Sequence, residues 1–502
     1  MLSLFDHGPF APCPAPFNLA DYVLAKACNQ PDKPALEVLG HKDSTVWTFG
    51  QLEAAVRGTG TGLLQAGLKP GDLLLMRLGN TVEFPIAYLG AIAAGLVPIP
   101  TSPQLTEFET AKIIDDLQPA AVLRDPAVAC AEHAKTFHLD ALQAMQSLPP
   151  CAYDLGDPER LAYAVFTSGT SGKARAVGHA HRAIWARQMM FSGWYGLTPD
   201  DRLLHAGAFN WTFTLGTGLM DPWSIGATAL IPAEGTELSD LPQLLRKHRA
   251  SLFAAAPGVY RRILKSKHRF DLPDLRHGLC AGEKLSDHLH EAWKQASGTE
   301  LYEAYGMSEC STFISSCPGA AARGKSLGRP QEGRRIAILR DGAPAPMGEE
   351  GTIAIHKSDP GLMLGYLNAP EDTLSRMRGD WFLTGDQGVM HDNGEISYLG
   401  RDDDMMNAGG FRVSPIEVET ALSAHPAISQ VGCAAVEVKE DTYIIVAFFS
   451  SPETVNIPEL QAFASSRLAG YKQPRAFVQL ESLPTGANGK LLRRALPALF
   501  KG

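Results

Sequence analysis

Several features are missing from this chain, and each absence closes a class. No two cysteines are spaced C-x-x-C: the eight stand at 13, 28, 130, 151, 280, 310, 317 and 433, a scatter that suggests neither a zinc site nor a disulfide framework. Reduced thiols and a cytoplasmic location are the expectation. No apolar run is long enough to cross a bilayer, since the longest, Phe84 to Pro100, is broken by Gly90, Gly95, Pro98 and Pro100 and reads as a buried helix leading into a strand. The opening M-L-S-L-F-D-H-G-P-F has no basic region ahead of an apolar core, so no secretory signal is expected. Positive charge is not in excess either: 45 Lys and Arg against 54 Asp and Glu give a net charge of −9, which gives no support for nucleic-acid binding. No internal sequence repeat is found.

What is present is a long, ordinary globular composition. At 502 residues the chain exceeds one core, and length suggests about three domain-sized units. Helix and strand signals alternate through the first 130 residues. Thr48 with Gln51 and Thr106 with Glu109 have capping-box spacing, while 73–78 and 120–124 read as strands. The alternation resumes after residue 200, with strand-like 202–207, 227–231 and 251–256 and helical stretches towards Trp223 and over 241–248. Two parallel α/β units follow from that rhythm. From Ser326 to His356 the segments turn short and β-like between Gly/Pro turns.

A further break is expected at Arg401 to Asp404, where three carboxylates precede M-M-N-A-G-G. Beyond it lies a small α+β unit: Ser414 as N-cap, Pro415 at the first helical position and Glu417 completing a capping box, then strands at 431–438 and 442–449 and a helix with Leu460, Phe463, Ala464 and Leu468 on one face. The expected architecture is α/β, with a large N-terminal domain, 1–401, of two α/β subdomains and a β-rich one, a hinge at 402–404, and a small mobile α+β domain, 405–502.

One stretch organises the chemistry. Tyr163 to Val177 reads Y-A-V-F-T-S-G-T-S-G-K-A-R-A-V, an apolar strand that breaks into the small residues Thr167 to Gly172 and then meets Lys173 and Arg175. Small residues let backbone N–H groups approach a phosphate, and the hydroxyls add donors; an ordinary Gly/Ser turn is the alternative reading. The pattern G-x-x-x-x-G-K-[ST] is excluded, because the required first glycine is missing and Ala174 follows the lysine. Other clusters are equally ambiguous singly. Y-G-M-S-E at 305–309 offers Glu309 as a Mg²⁺ ligand or is a surface loop. T-G-D-Q-G at 384–388 offers Asp386 to a ribose diol or is an Asp-stabilised turn. C-A-G-E-K-L at 280–285 suits backbone contact with a flat base or is a plain strand end, and Lys490 on N-G-K is a catalytic or a merely solvated lysine.

Taken together and in this order, these segments resemble the adenylate-forming superfamily of acyl-CoA synthetases, luciferases of the firefly type and peptide-synthetase adenylation domains, over about Thr48 to Arg493. The resemblance implies that Thr167, Ser168, Gly169, Thr170, Ser171 and Gly172, with Arg175, hold the ATP phosphates. Gly282, Glu283 and Lys284 would line the adenine beside Tyr305. Ser308 would contact the α-phosphate and Glu309 would carry Mg²⁺. Asp386 and Arg401 would bind the ribose, Asp403 would be the hinge, and Lys490 would bridge carboxylate and α-phosphate. Gly409, Gly410 and Arg412 would help form the coenzyme A tunnel. The acyl pocket would lie at Phe209, Asn210, Trp211 and Gly306.

Two departures stand out. Arg175 occupies the position of the family's loop lysine and Ala174 that of its proline, and Ser308 replaces the usual threonine. Gly306, where acetate-specific relatives carry tryptophan, implies an acid larger than acetate, medium-chain or aromatic. The implied activity is ATP-dependent activation of that acid to an adenylate, then thioester formation with coenzyme A. A stand-alone enzyme loading a carrier-protein thiol, or a non-catalytic nucleotide-binding protein, remain alternatives. Oligomeric state is unreadable from the sequence.

Overall fold

The computed structural model describes residues 1–40, 43–166, 175–266, 269–282, 284–408, 411–439, 442–468, 470–486 and 489–501. Its larger part is built on two parallel layers, as the alternation of helix and strand requires. The first is a four-stranded sheet ordered Val97–Pro100, Leu73–Arg77, Ala121–Arg124, Thr136–His138, parallel throughout. The second has nine strands. Its central six, Glu300–Met307, His277–Ala281, Leu252–Ala255, Arg202–His205, Thr228–Pro232 and Pro34–Leu39, run parallel, and antiparallel strands close both edges.

Both expected capping boxes form. Thr48 starts the helix Phe49–Gln65 and Thr106 the helix Glu107–Leu117, each hydroxyl accepting from the N3 backbone while the N3 side chain accepts from the cap backbone. The apolar run Phe84–Pro100 is a buried helix, Glu83–Ala93, and a strand, Val97–Pro100. Among the described residues no helix is long and apolar enough to cross a membrane.

Residues 335–401 form most of an antiparallel sheet whose principal strands are Arg335–Arg340, Glu350–His356, Trp381–Met390 and Ile396–Arg401. A three-stranded sheet, Leu161–Phe166, Ala176–Ala180 and Gly365–Tyr366, ties the early chain to it. After Arg401 a 3₁₀ turn, Asp402–Asp404, leads to a unit with its own core of Met406, Val418, Leu422, Ile445, Phe449 and Leu460. Its sheet is Gln430–Lys439, Thr442–Ser450 and Ala476–Leu480. Ser414 caps the helix Pro415–Ser423, but only half of the expected box closes. The Glu417 carboxylate turns instead to Lys472 at 2.9 Å and Lys325 at 3.1 Å, two cations that outcompete a local backbone N–H. The Lys325 pair also joins this unit to the rest of the chain. In the helix Ile457–Ser465, Leu460 and Ala464 are buried with Leu468 beyond it, whereas Phe463 sits half out under the Arg467 guanidinium, 3.9 Å from the ring centroid.

Candidate active site

Parallel α/β sheets gather ligands at the carboxyl ends of their strands, and here the strand Glu300–Met307 carries its site residues there. Tyr305 donates its hydroxyl to Asp386, which also accepts from the Tyr398 hydroxyl at 3.3 Å and faces Arg401 Nε at 3.5 Å. Asp386 and Arg401 are direct partners across neighbouring strands. Asp386 is 5% exposed. Burial raises its carboxyl above the ordinary range, while Arg401, the Tyr305 hydroxyl and Lys490 pull it back. Lys490, on its exposed turn after Gly489, therefore lies within electrostatic reach of the same corner.

Glu309 follows two residues after the same strand. It is buried, and its Oε1 accepts from the Tyr366 hydroxyl at 2.6 Å. The backbone reinforces this contact. Met363 N donates to Glu309 O at 2.7 Å, while Leu364 N and Leu367 N donate to Gly178 O and Ala176 O, each at 2.8 Å. Arg175, at the entry to the strand Ala176–Ala180, forms an ion pair with Asp372 in the short helix Pro370–Ser375. The segment 362–376 thus braces both the exit of the glycine-rich loop and the Glu309 carboxylate. Arg175 was expected to face phosphate in the lysine's place; the structure gives it a carboxylate partner.

Lys284 also points elsewhere than expected. Its ammonium pairs with buried Glu303 and donates to Ser326 O at 3.0 Å, so it fixes the turn after the strand His277–Ala281. Gly282 has φ +99°, and a Cβ there would lie 2.8 Å from Trp211 Cζ2. Trp211 thus stands against the backbone expected to face adenine. Phe209 packs in the core, 2% exposed, its ring 5.7 Å from Phe84 and its N–H donating to Asn80 Oδ1 at 2.7 Å. Asn210 is half-buried between them. Gly306 is walled by backbone, since a Cβ there would overlap the Ser311 carbonyl and lie 2.5 Å from Thr312 Cα. A side chain at 306 would need the hairpin itself to move.

Ser308 presents its carbonyl to His179 Nε2 at 2.7 Å. A carbonyl only accepts, so Nε2 carries the proton and Nδ1 the lone pair. Thr167, Ser168, Gly169, Thr170, Ser171, Gly172, Glu283, Gly409 and Gly410 lie outside the described residues, as do the side chains of Asp403 and Arg412. Among the described residues no group of three or more His, Cys, Asp or Glu could hold a metal. The Glu309 carboxylate is a lone hard oxygen donor, and that fits Mg²⁺, which keeps waters and takes substrate phosphates as further ligands.

Sequence reasoning passed over Tyr366, Asp372, Tyr398 and His179. The segments around Tyr366, Tyr398 and His179, L-G-Y-L-N, I-S-Y-L-G and G-H-A-H, are local strand patterns, and Asp372 sits in a short helix; none carries chemistry until the fold brings it to the site.

The model of the AMP-binding enzyme family matches residues 24–367, and that of the AMP-binding enzyme C-terminal domain matches 417–490. The chain belongs to the AMP-binding enzymes. Relatives of this AMP-binding enzyme include acyl-coenzyme A synthetase ACSM3, mitochondrial, of Mus musculus, 27% identical over 96% of this chain and 90% of the relative. Another is 3-hydroxybenzoate–CoA ligase of Aromatoleum sp. (strain CIB), 28% identical over 96% of this chain and 97% of the relative. The anthranilate CoA ligase AuaEII, solved with anthranoyl-AMP, superimposes with a TM-score of 0.88 at 25% identity, covering 97% of this chain and 98% of that one.

Proposed function

We propose that the protein is an AMP-forming acid:CoA ligase whose substrate is an aromatic or medium-chain acid larger than acetate. The carrying observation is the convergence of Asp386, Tyr305, Tyr398 and Arg401 with Lys490 in reach of them, next to the braced Glu309, in a chain that matches AMP-binding enzymes nearly end to end. The Asp386 carboxylate and Arg401 hold the ribose; exchange of the tyrosine hydroxyls for ribose hydroxyls keeps the carboxylate satisfied. The backbone at Gly282 and the ring of Tyr305 flank the base.

The acid carboxylate attacks the α-phosphorus. One O–P bond forms, the bond to pyrophosphate breaks, and an acyl-adenylate results. Lys490 stabilises the negative charge gathering on the α-phosphoryl oxygens, and Ser308 donates to them. Mg²⁺ held by Glu309 supplies further neutralisation when bound. In the second half-reaction the thiolate of coenzyme A attacks the acyl carbonyl and AMP leaves. Before that attack, rotation at Asp403 carries Lys490 away and brings Gly409, Gly410 and Arg412 to the pantetheine path.

The size of the acid is supported by the relatives named for 3-hydroxybenzoate and anthranilate, and the resemblance adds Gly306 at the position where acetate-specific relatives carry tryptophan. A carboxylic-acid panel with AMP, pyrophosphate and thioester detection tests the reading, with free coenzyme A and a pantetheinylated carrier protein as competing acceptors. AMP and an acyl-CoA are expected. ADP as product, or persistent silence with ATP–pyrophosphate exchange over a broad acid mixture, would overturn it.

A further inference from the structure

Beside the site lies a small cavity bounded by Tyr88, Tyr163, His179, Thr212, Ser308 and Ser311. Two of its lining residues neighbour expected acyl-pocket positions: Thr212 follows Trp211 in sequence, and the Ser311 carbonyl lies against Gly306. Two of its polar atoms have no partner: the Tyr88 hydroxyl, on a fully buried side chain, and His179 Nδ1, on a ring 2% exposed. Leaving such a group unsatisfied forfeits its hydration without return, and native interiors leave few.

The chemistry that would satisfy them is narrow. With its proton on Nε2 towards Ser308, His179 offers a bare lone pair and needs a donor. Burial lowers its pKa to about 4, so it stays neutral near pH 7. Tyr88 can donate or accept. Arg187, in the same wall, is already committed: it holds Asp221 through Nε at 2.7 Å and a terminal nitrogen at 2.6 Å, and it bonds Ser311, Thr217 and Tyr195 as well. The wall therefore carries no spare positive charge for a second carboxylate. The cavity measures about 20 Å³, room for one water-sized group.

We propose that this cavity receives a single neutral hydrogen-bonding substituent of the acid, a hydroxyl or an uncharged amino group, which donates to His179 Nδ1 and pairs with the Tyr88 hydroxyl. The inference rests on the ligase reading above. It makes Tyr88 and His179 specificity-determining residues. A methyl group has the right size but leaves both polar atoms unpaired, and a carboxylate is too large and unneutralised.

The test is ATP–pyrophosphate exchange with benzoates carrying hydroxyl, amino or methyl at the ortho, meta or para position, and with the matching aliphatic hydroxyl and methyl pairs. At one position the hydroxyl or amino acid should exceed its methyl isostere in kcat/KM by roughly 10–100-fold. Tyr88→Phe keeps the ring and should narrow that ratio to a few-fold. Parity of hydroxyl, amino and methyl acids at every position in the wild type would mean that the cavity holds a structural water only. An unchanged ratio in folded Tyr88→Phe would remove that hydroxyl from the account, and the wild-type ratios decide even where the variant fails to fold. Exchange with no acid at all would overturn the ligase reading instead.

Discussion

The Asp386 corner, proposed to hold the ribose, and the acyl-side cavity both draw on the carboxyl end of the strand Glu300–Met307, Tyr305 serving the first and Ser308 and Ser311 the second, and they treat their polar groups in opposite ways. Asp386 is buried but answered by two tyrosine hydroxyls and an arginine. On the acyl side, Tyr88, His179, Thr214 and both nitrogens of His205 are buried with atoms left unpaired. A nucleotide is the same in every turnover, so the protein can carry its complement ready-made. The acid is the partner whose substituents vary, and the unpaired atoms there are the ones that the proposed hydroxyl or amino substituent would meet. Backbone supports the second region closely: Gly216 lies flat against the Arg187 guanidinium and Gly218 against the His205 ring, positions where a Cβ would collide.

The largest effect that could break this comparison is acid lability. Burial lowers the pKa of His179 and His277 to about 4 and of His181 and His205 to about 3, from an ordinary 6.5. The unfolded chain then binds more protons than the folded one. Stability is full above pH 6.5 and falls as pH drops towards 4, by up to about 1.4 kcal/mol per pH unit for each ring. Urea unfolding between pH 7 and pH 5 should show the loss, with His205→Asn flattening the slope; a flat profile would mean that these rings are hydrated.

Next is the buried Arg187–Asp221 pair. Asp221→Ala strands a guanidinium and should cost about 3–5 kcal/mol, whereas Arg187→Met with Asp221→Leu should recover most of it. An equal cost for both variants would show that the pair itself, not charge isolation, stabilises the region. Tyr366→Phe is expected to weaken Mg²⁺ retention by roughly tenfold, the scale of one hydrogen bond to a charged group. Turnover at varied Mg²⁺ and Mg²⁺-dependent quenching of tryptophan fluorescence by ATP report it. Arg175→Ala and Asp372→Ala, a pair that is partly exposed, should each cost at most about 1 kcal/mol and add less than independently in the double variant. A large ATP KM effect of Arg175→Ala alone, with Asp372→Ala silent, would restore Arg175 to the phosphates.

Local signals were legible from the sequence. Thr48 and Thr106 cap their helices because each box lies within four residues, and the helix-then-strand reading of Phe84–Pro100 needed only the glycines and prolines. The half-formed box at Ser414 was not legible, since Lys472 arrives from 55 residues away. The same holds for Tyr366 against Glu309, 57 residues apart, and for Tyr305 against Asp386, 81 apart, contacts created by sheet register. Phe209 and Trp211 were alike as expected pocket positions. The turn at 209–210 sent Phe209 into the core against Phe84 and left Trp211 against Gly282.

The most direct measurement is the pair of half-reactions in Lys490→Ala. Adenylation, followed by ATP–pyrophosphate exchange, should fall by roughly 10²–10³, the scale of removing one donor to a developing anion. Thioester formation from supplied acyl-adenylate should stay largely intact. Equal loss in both half-reactions would contradict a lysine that serves the nucleotide corner in one step and leaves it for the next.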